Sequence, residues 1–257
     1  MRVYIPFIVL LMASCAGQDR VSDQDPSPDP SSTAFLNGEM TELDFFCQPR
    51  GRDGLLKRIE KYWRFSPSIL EAAKTVQNAS DYSPYKAVSA CYKAANITIG
   101  VLGKDTDIPF LMDQIISSKS LSPEPKVAKK QRQLQLGSVQ AIAAILGKAR
   151  LRGLKMTNNH VDGEQMILDC MKGTICSDST WDQDMTYMLQ NFTITAMGLA
   201  GTDKLMDELN RIEDNLDPSI DPYARYTNYS VSKARKLKEQ IDDNALSILE
   251  YINKVEH

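Results

Sequence analysis

Apolar residues recur at helical spacing between marked helix starts along most of this chain, a pattern that predicts an all-α fold. Ile108, Leu111, Met112, Ile115 and Ile116 form one stripe, and Leu205, Leu209 and Ile212 form another. The clearest run covers residues 231–255, where Ala234, Leu237, Ile241, Ala245, Ile248, Leu249 and Ile252 predict one long amphipathic helix. Ser66-Pro67 and Ser83-Pro84 each pair a capping side chain with proline at the first helical position, where its missing N–H costs nothing. Asp162 with Gln165, and Ser179 with Asp182, have capping-box spacing. Ile97, Ile99 and Val101 alternate as in a strand, as do Phe192 and Ile194. Both stretches lie in longer runs of Ala, Leu, Met and Lys without hairpin turn residues, so helix is the reading there too.

Three of these segments are similar to one another. Residues 98–103 (TIGVLG) lead into Asp107-Ile108-Pro109-Phe110-Leu111, and residues 196–201 (AMGLAG) lead into Lys204-Leu205-Met206 and Leu209. Residues 143–147 (AAILG) are a weaker copy, followed by an insertion through His160. Their glycines, Gly103, Gly147 and Gly201, are 44 and 54 positions apart, a spacing compatible with helix-pair repeats. The pattern resembles the HEAT-repeat family over residues 84–214. The resemblance implies stacked helical hairpins, an α-solenoid, with each glycine ending a helix and Leu and Ile filling the seams. The alternative is an irregular helical bundle.

The first residues carry a different signal. Arg2 precedes about ten apolar residues, too few to cross a ~30 Å hydrocarbon core, so residues 1–14 read as an export signal. Met12-Ala13-Ser14-Cys15 resembles a bacterial lipobox, with Met12 where leucine is usual. That resemblance implies cleavage before Cys15, lipidation of its side chain and amino group, and, with Ala16 following, an outer-membrane address. An ordinary secretory signal cut near Gly17 is the alternative. Residues 15–33 then comprise the lipidated cysteine and a linker rich in Asp, Ser and Pro, too polar to offset ordering entropy. Stretched out, a linker of ~15 residues spans about 50 Å. Residues 34–257 form the helical domain.

A net charge of −3 offers no basic footprint for nucleic acid. Beyond Cys15, four cysteines in an oxidising compartment allow three pairings. The nearest is Cys170 with Cys176, leaving Cys47 with Cys91, while free thiols are also open. Spacings of 44, 79 and 6 match no Cys-x2-Cys zinc pair, and no cofactor is indicated.

Catalytic chemistry finds little to work with. His160 sits among Asn158, Asn159 and Gly163, which read as an exposed turn, and His257 is the last residue. The pairs Asp182 with Asp184, Glu208 with Glu213, and Asp242 with Asp243 suit acid–base work only if burial separates their affinities for protons. The basic stretches at residues 126–132 and 148–155 read as solvated helix faces or as contacts to anionic head groups. In a curved stack, the second helices would present Phe110, Asp113 and Gln114, then Glu164, Gln165 and Asp169, then Asp207, Glu208 and Arg211 to a partner. The expectation is a lipid-anchored envelope protein that binds another envelope protein as a scaffold or assembly factor. An envelope-polymer hydrolase using paired carboxylates and a lipid carrier with an apolar cavity are the alternatives.

Overall fold

The computed structural model describes residues 42–47, 66–79, 88–118, 122, 125–176, 183–217, 219 and 223–256. Among these the fold is all-α, with ten helices and no strand: α1 (Glu42–Cys47), α2 (Ser66–Asn78), α3 (Val88–Leu102), α4 (Ile108–Ser117), α5 (Pro125–Leu151), α6 (Asn158–Met171), α7 (Gln183–Ala200), α8 (Asp203–Asp214), α9 (Ala224–Asp243) and α10 (Ala245–Glu256). The segments that alternate as strands would, residues 97–101 and 192–194, are buried turns of α3 and α7. The export-signal segment, Cys15, the linker, Ser83-Pro84 and the Ser179–Asp182 capping box lie outside the described residues.

Helices α3, α5, α7 and α9 pack side by side in that order, and α4, α6 and α8 lie against them as a second row. The first row is parallel, as its register shows. The Lys130 ammonium lies 5.7 Å from the Tyr92 ring near the start of α3 and α5, while Lys148 meets Val101 at their ends. Tyr187 stacks on Tyr223 where α7 and α9 begin. Close approach along the row depends on glycine. A Cβ on Gly147 would lie 2.7 Å from the Leu199 carbonyl oxygen, and one on Gly198 would overlap the Ala234 backbone. Ile99, Ile108, Leu111, Ile142, Leu146, Ile167 and Ile194 fill the space between the rows, each no more than 2% exposed. Both cysteine pairs are bonded: Cys47–Cys91 ties α1 to α3, and Cys170–Cys176 closes the turn after α6.

Three local expectations are corrected. Gly147 does not end a helix, because α5 runs through it to Leu151, and the turn residue is Gly153 with φ 61°. The close passage of α7 explains why a glycine stands there instead. Residues 231–255 are not one helix: the chain breaks at Asn244, and α10 folds back onto α3 and α5, burying Ile248 and Ile252. His160 is not in an exposed turn. It is 4% exposed in the first turn of α6, where its Nδ1 accepts from the Thr157 N–H at 3.1 Å and its own N–H donates to Thr157 Oγ1 at 3.3 Å. This is a capping box with histidine in the usual Glu or Gln place, so Asp162 lies within the helix and is not its cap.

A parallel row gathers helix C-termini, and their unpaired carbonyls, at one end. Lys148 and Arg150 near the end of α5 answer them, and Gln135 and Lys130 near its start do the same for α4 and α2. Lys148, 3% exposed, donates to the Val101 and Gly103 carbonyls at 2.6 and 2.5 Å, closing α3. Arg150 Nε donates to the Ala200 carbonyl at 3.1 Å, closing α7. Gln135 donates to the Ser118 carbonyl at 2.9 Å behind α4, and Lys130 to the Ala79 carbonyl at 2.6 Å behind α2. The basic stretches at residues 126–132 and 148–155 are therefore not merely solvated faces: Lys130, Lys148 and Arg150 are half-buried or buried structural donors. Burial pushes the Lys130 ammonium below its ordinary pKa. Replacing Lys148 with Met keeps the stem and strands two buried carbonyls. Chemical denaturation is expected to show a loss of about 2 kcal/mol, whereas an unchanged midpoint would refute the capping role.

Candidate functional site

The second row exposes one continuous face of α4, α6 and α8. Asp113 on α4 and Asp207 on α8 are exposed there, with Asp162, Gln165 and a half-buried Asp169 on α6 between them. Lys204 Nζ donates to Gln165 Oε1 at 3.1 Å, joining the faces of α8 and α6, and Gln165 Nε2 donates to Asp169 Oδ1 at 2.9 Å. The face is predominantly acidic, with Lys204 and Arg211 as its cations.

Four of the sequence-assigned residues do not present themselves to a partner as expected. Glu164 is 6% exposed and Glu208 9%. Helix α6 is covered by α4, α5, α7 and α8, so its buried arc is wider than a single stripe and takes in Glu164. Glu208 turns inward and accepts from Arg211, itself exposed, at 2.8 Å. Phe110 is half-buried with the Lys74 ammonium 6.0 Å from its ring, and Gln114 donates to Asn78 Oδ1 at 2.9 Å. Those two tie α4 to α2. Lys74 also pairs with Asp107 at 2.6 Å and with Glu71 at 2.8 Å; burial disfavours its charge, but the two carboxylates outweigh that and raise its pKa. Asp107, 6% exposed, accepts from the Lys104 N–H at 2.8 Å, which fixes the turn into α4.

Of the paired carboxylates, Glu208, Glu213 and Asp242 are tied to cations. Glu213 meets Arg235 at 2.5 Å. Asp242 meets Lys238 at 2.6 Å and Arg150 at 2.7 Å. Partial burial opposes the charge on Asp242, but those two cations overcome it and hold the carboxyl below its ordinary range. A general acid needs the opposite shift. The side chains of Asp182 and Asp184 lie outside the described residues. Between α3, α5 and α7, a groove lined by Lys93, Asn96, Gln140 and Phe192 encloses about 30 Å³, room for a water and not for an acyl chain. Among the described residues, no three His, Cys, Asp or Glu side chains converge on a metal position, and no helix is long and apolar enough to cross a membrane.

A second surface escaped the sequence reading. On α9, Tyr226 is 63% and Tyr229 68% exposed. The Tyr226 ring meets Tyr187 edge-on at 6.3 Å, and Tyr187 stacks on Tyr223 at 4.3 Å. The signal was available: tyrosines at 223, 226 and 229 open a run, residues 223–238, that holds five cations and no acid. No protein family, curated protein or solved structure matches this chain.

The Asp242 pairs give a pH signature. Because its folded pKa is lowered, their stabilisation is complete above the ordinary Asp value near ~4 and is lost as pH falls through the folded value. Asp242→Asn is expected to cost about 0.5–1 kcal/mol at pH 7, a modest figure because the group is partly exposed. The gap from wild type should close in acid, and a gap that persists there would contradict the ion-pair account.

Proposed function

We propose that this chain is a lipid-anchored protein of a bacterial envelope whose helical domain binds another protein, as a scaffold or assembly factor. The acidic face of α4, α6 and α8 carries the reading: it is continuous, solvent-facing, and built on helices whose opposite sides are locked in the core. Two successive helix pairs, α5 with α6 and α7 with α8, pack against each other, and α4 lies on α5 and α6, which supports the HEAT-like reading; stacks of that kind bind through extended surfaces. The partner's contact surface would be basic, since like charges repel and opposite charges steer encounter. Anchoring rests on the lipobox-like Met12-Ala13-Ser14-Cys15, and the polar linker after it would let the domain reach out from the bilayer.

Two experiments test the two halves of this proposal. Cys15→Ala should move the protein from the membrane fraction to the soluble one, and unchanged partitioning would overturn the anchor. Cross-linking of intact cells followed by mass spectrometry should recover one recurrent envelope protein with wild type. The double variant Asp113→Lys, Asp207→Lys should lose it by at least tenfold with its melting temperature unchanged. Equal recovery with both would remove the acidic face from the binding site.

A further inference from the structure

The edge of the first row has a chemistry opposite to the second row. Helix α9 is the last of the parallel row, and the side it turns away from α7 and α8 carries Arg225, Tyr226, Tyr229, Lys233 and Lys236. The two other cations of this run are engaged: Arg235 with Glu213 and Asn210, and Lys238 with Asp242. Arg225, Lys233 and Lys236 make no ion pair among the described residues. They span about 16 Å of helix at 1.5 Å per residue, with two exposed tyrosine rings between them. The next acid on the helix is Glu239.

We infer that this face of α9 is a docking surface for the anionic head groups of a phospholipid bilayer. The charge complements a surface of phosphodiesters, and each basic residue brought close to such a surface raises partition about fivefold. Tyrosine, with an apolar ring and a polar end, settles at the level of the head groups. The Tyr226 ring is already held edge-on against Tyr187, so little of its freedom is lost on contact. An acidic protein would share the charge preference, but protein hot spots seat their aromatics in pockets. Here the tyrosines protrude from a convex helix, and a deformable lipid surface needs no matching knob or hole.

The inference rests on the reading that the chain resides at a bilayer, yet it is tested without the anchor. The full chain carrying Cys15→Ser is mixed with phosphatidylcholine vesicles, with and without phosphatidylglycerol, and the bound fractions are compared. The N-terminal segment with Arg2 is common to this chain and to the variants below, so its contribution is removed by comparing them. The ratio should favour the anionic vesicles at least tenfold and fall toward one at about 1 M salt. Lys233→Glu with Lys236→Glu should abolish that preference while binding to neutral vesicles stays the same. If that variant melts early, Arg225→Gln with Lys236→Gln provides the same test with a smaller loss. Equal binding to the two vesicle types, or an anionic preference that survives both variants, overturns the inference. So does a result in which the variants leave vesicle binding intact and instead release a cross-linked protein. Failure of the anchor would appear separately, as unchanged fractionation of Cys15→Ala after a wash at about 1 M salt, which strips the contact through α9 but not a lipid anchor.

Discussion

One helix finishes four others. Along its 27 residues α5 places Lys130, Gln135, Lys148 and Arg150 against the carbonyl ends of α2, α4, α3 and α7. For α3 and α7 the need follows from the architecture, whereas α2 and α4 end beside the start of α5. Antiparallel neighbours set opposite dipole ends beside each other, but a parallel row sets like ends together and collects unpaired carbonyls on one side. Water satisfies such carbonyls at a surface. Where α10 folds back over α3 and α5, protein donors are needed, and only a central helix longer than its neighbours reaches both ends of the row. The 3% exposure of Lys148 follows from that arrangement: its charge is offset by carbonyl dipoles as well as by whatever else surrounds it.

The same geometry explains what could be read from the sequence. Apolar stripes such as Ile108, Leu111 and Ile115 were legible because a helix flanked on one side buries one arc, and these residues are fully buried. Helix α6 defeats that logic, since four neighbours bury Glu164 and His160 along with Ile167 and Cys170. The Thr157–His160 box was missed because histidine seldom fills the place of Glu or Gln, and the adjacent asparagines favour a turn. The break at Asn244 leaves no mark in the apolar period, because Ile241, Ile248 and Ile252 keep helical spacing across it while facing different neighbours. Gly147 had a real cause that was mistaken for another. It admits the α7 backbone and does not end α5.

The candidate surface was legible only where a side chain's environment depends on its own helix alone. Asp113 and Asp207 point outward as the stripes of α4 and α8 require, and the structure leaves them exposed. Phe110 and Gln114 were misjudged because tertiary partners (Lys74 and Asn78) decide where they point, and Glu208 because it shares the buried arc of α8 with Leu205 and Leu209. Lysine in the middle of a basic stretch gives no sign of whether it faces water or a helix end. In α9, by contrast, the acid-free run with repeated tyrosine is a composition signal that needs no structure, though only the structure separates engaged Arg235 and Lys238 from half-buried Lys233 and exposed Lys236.

The two charged surfaces are consequences of one layout. The second row must solvate the side that the core does not use, and short acidic residues do so without covering neighbouring positions. The last helix of the first row meets a different constraint. Its free side is a helix face at the edge of the row, and such a face needs a device that discourages association with further copies. Lysine and arginine serve that end, as charged side chains do at the edge of a sheet, because burying them without partners is costly. Exposed Tyr226 and Tyr229 contradict a purely protective role, since they return apolar area to a face that capping would keep polar. Basic charge that repels a further copy, combined with aromatic area that invites contact, fits a surface of a different chemical kind: one that is negative, broad and without pockets.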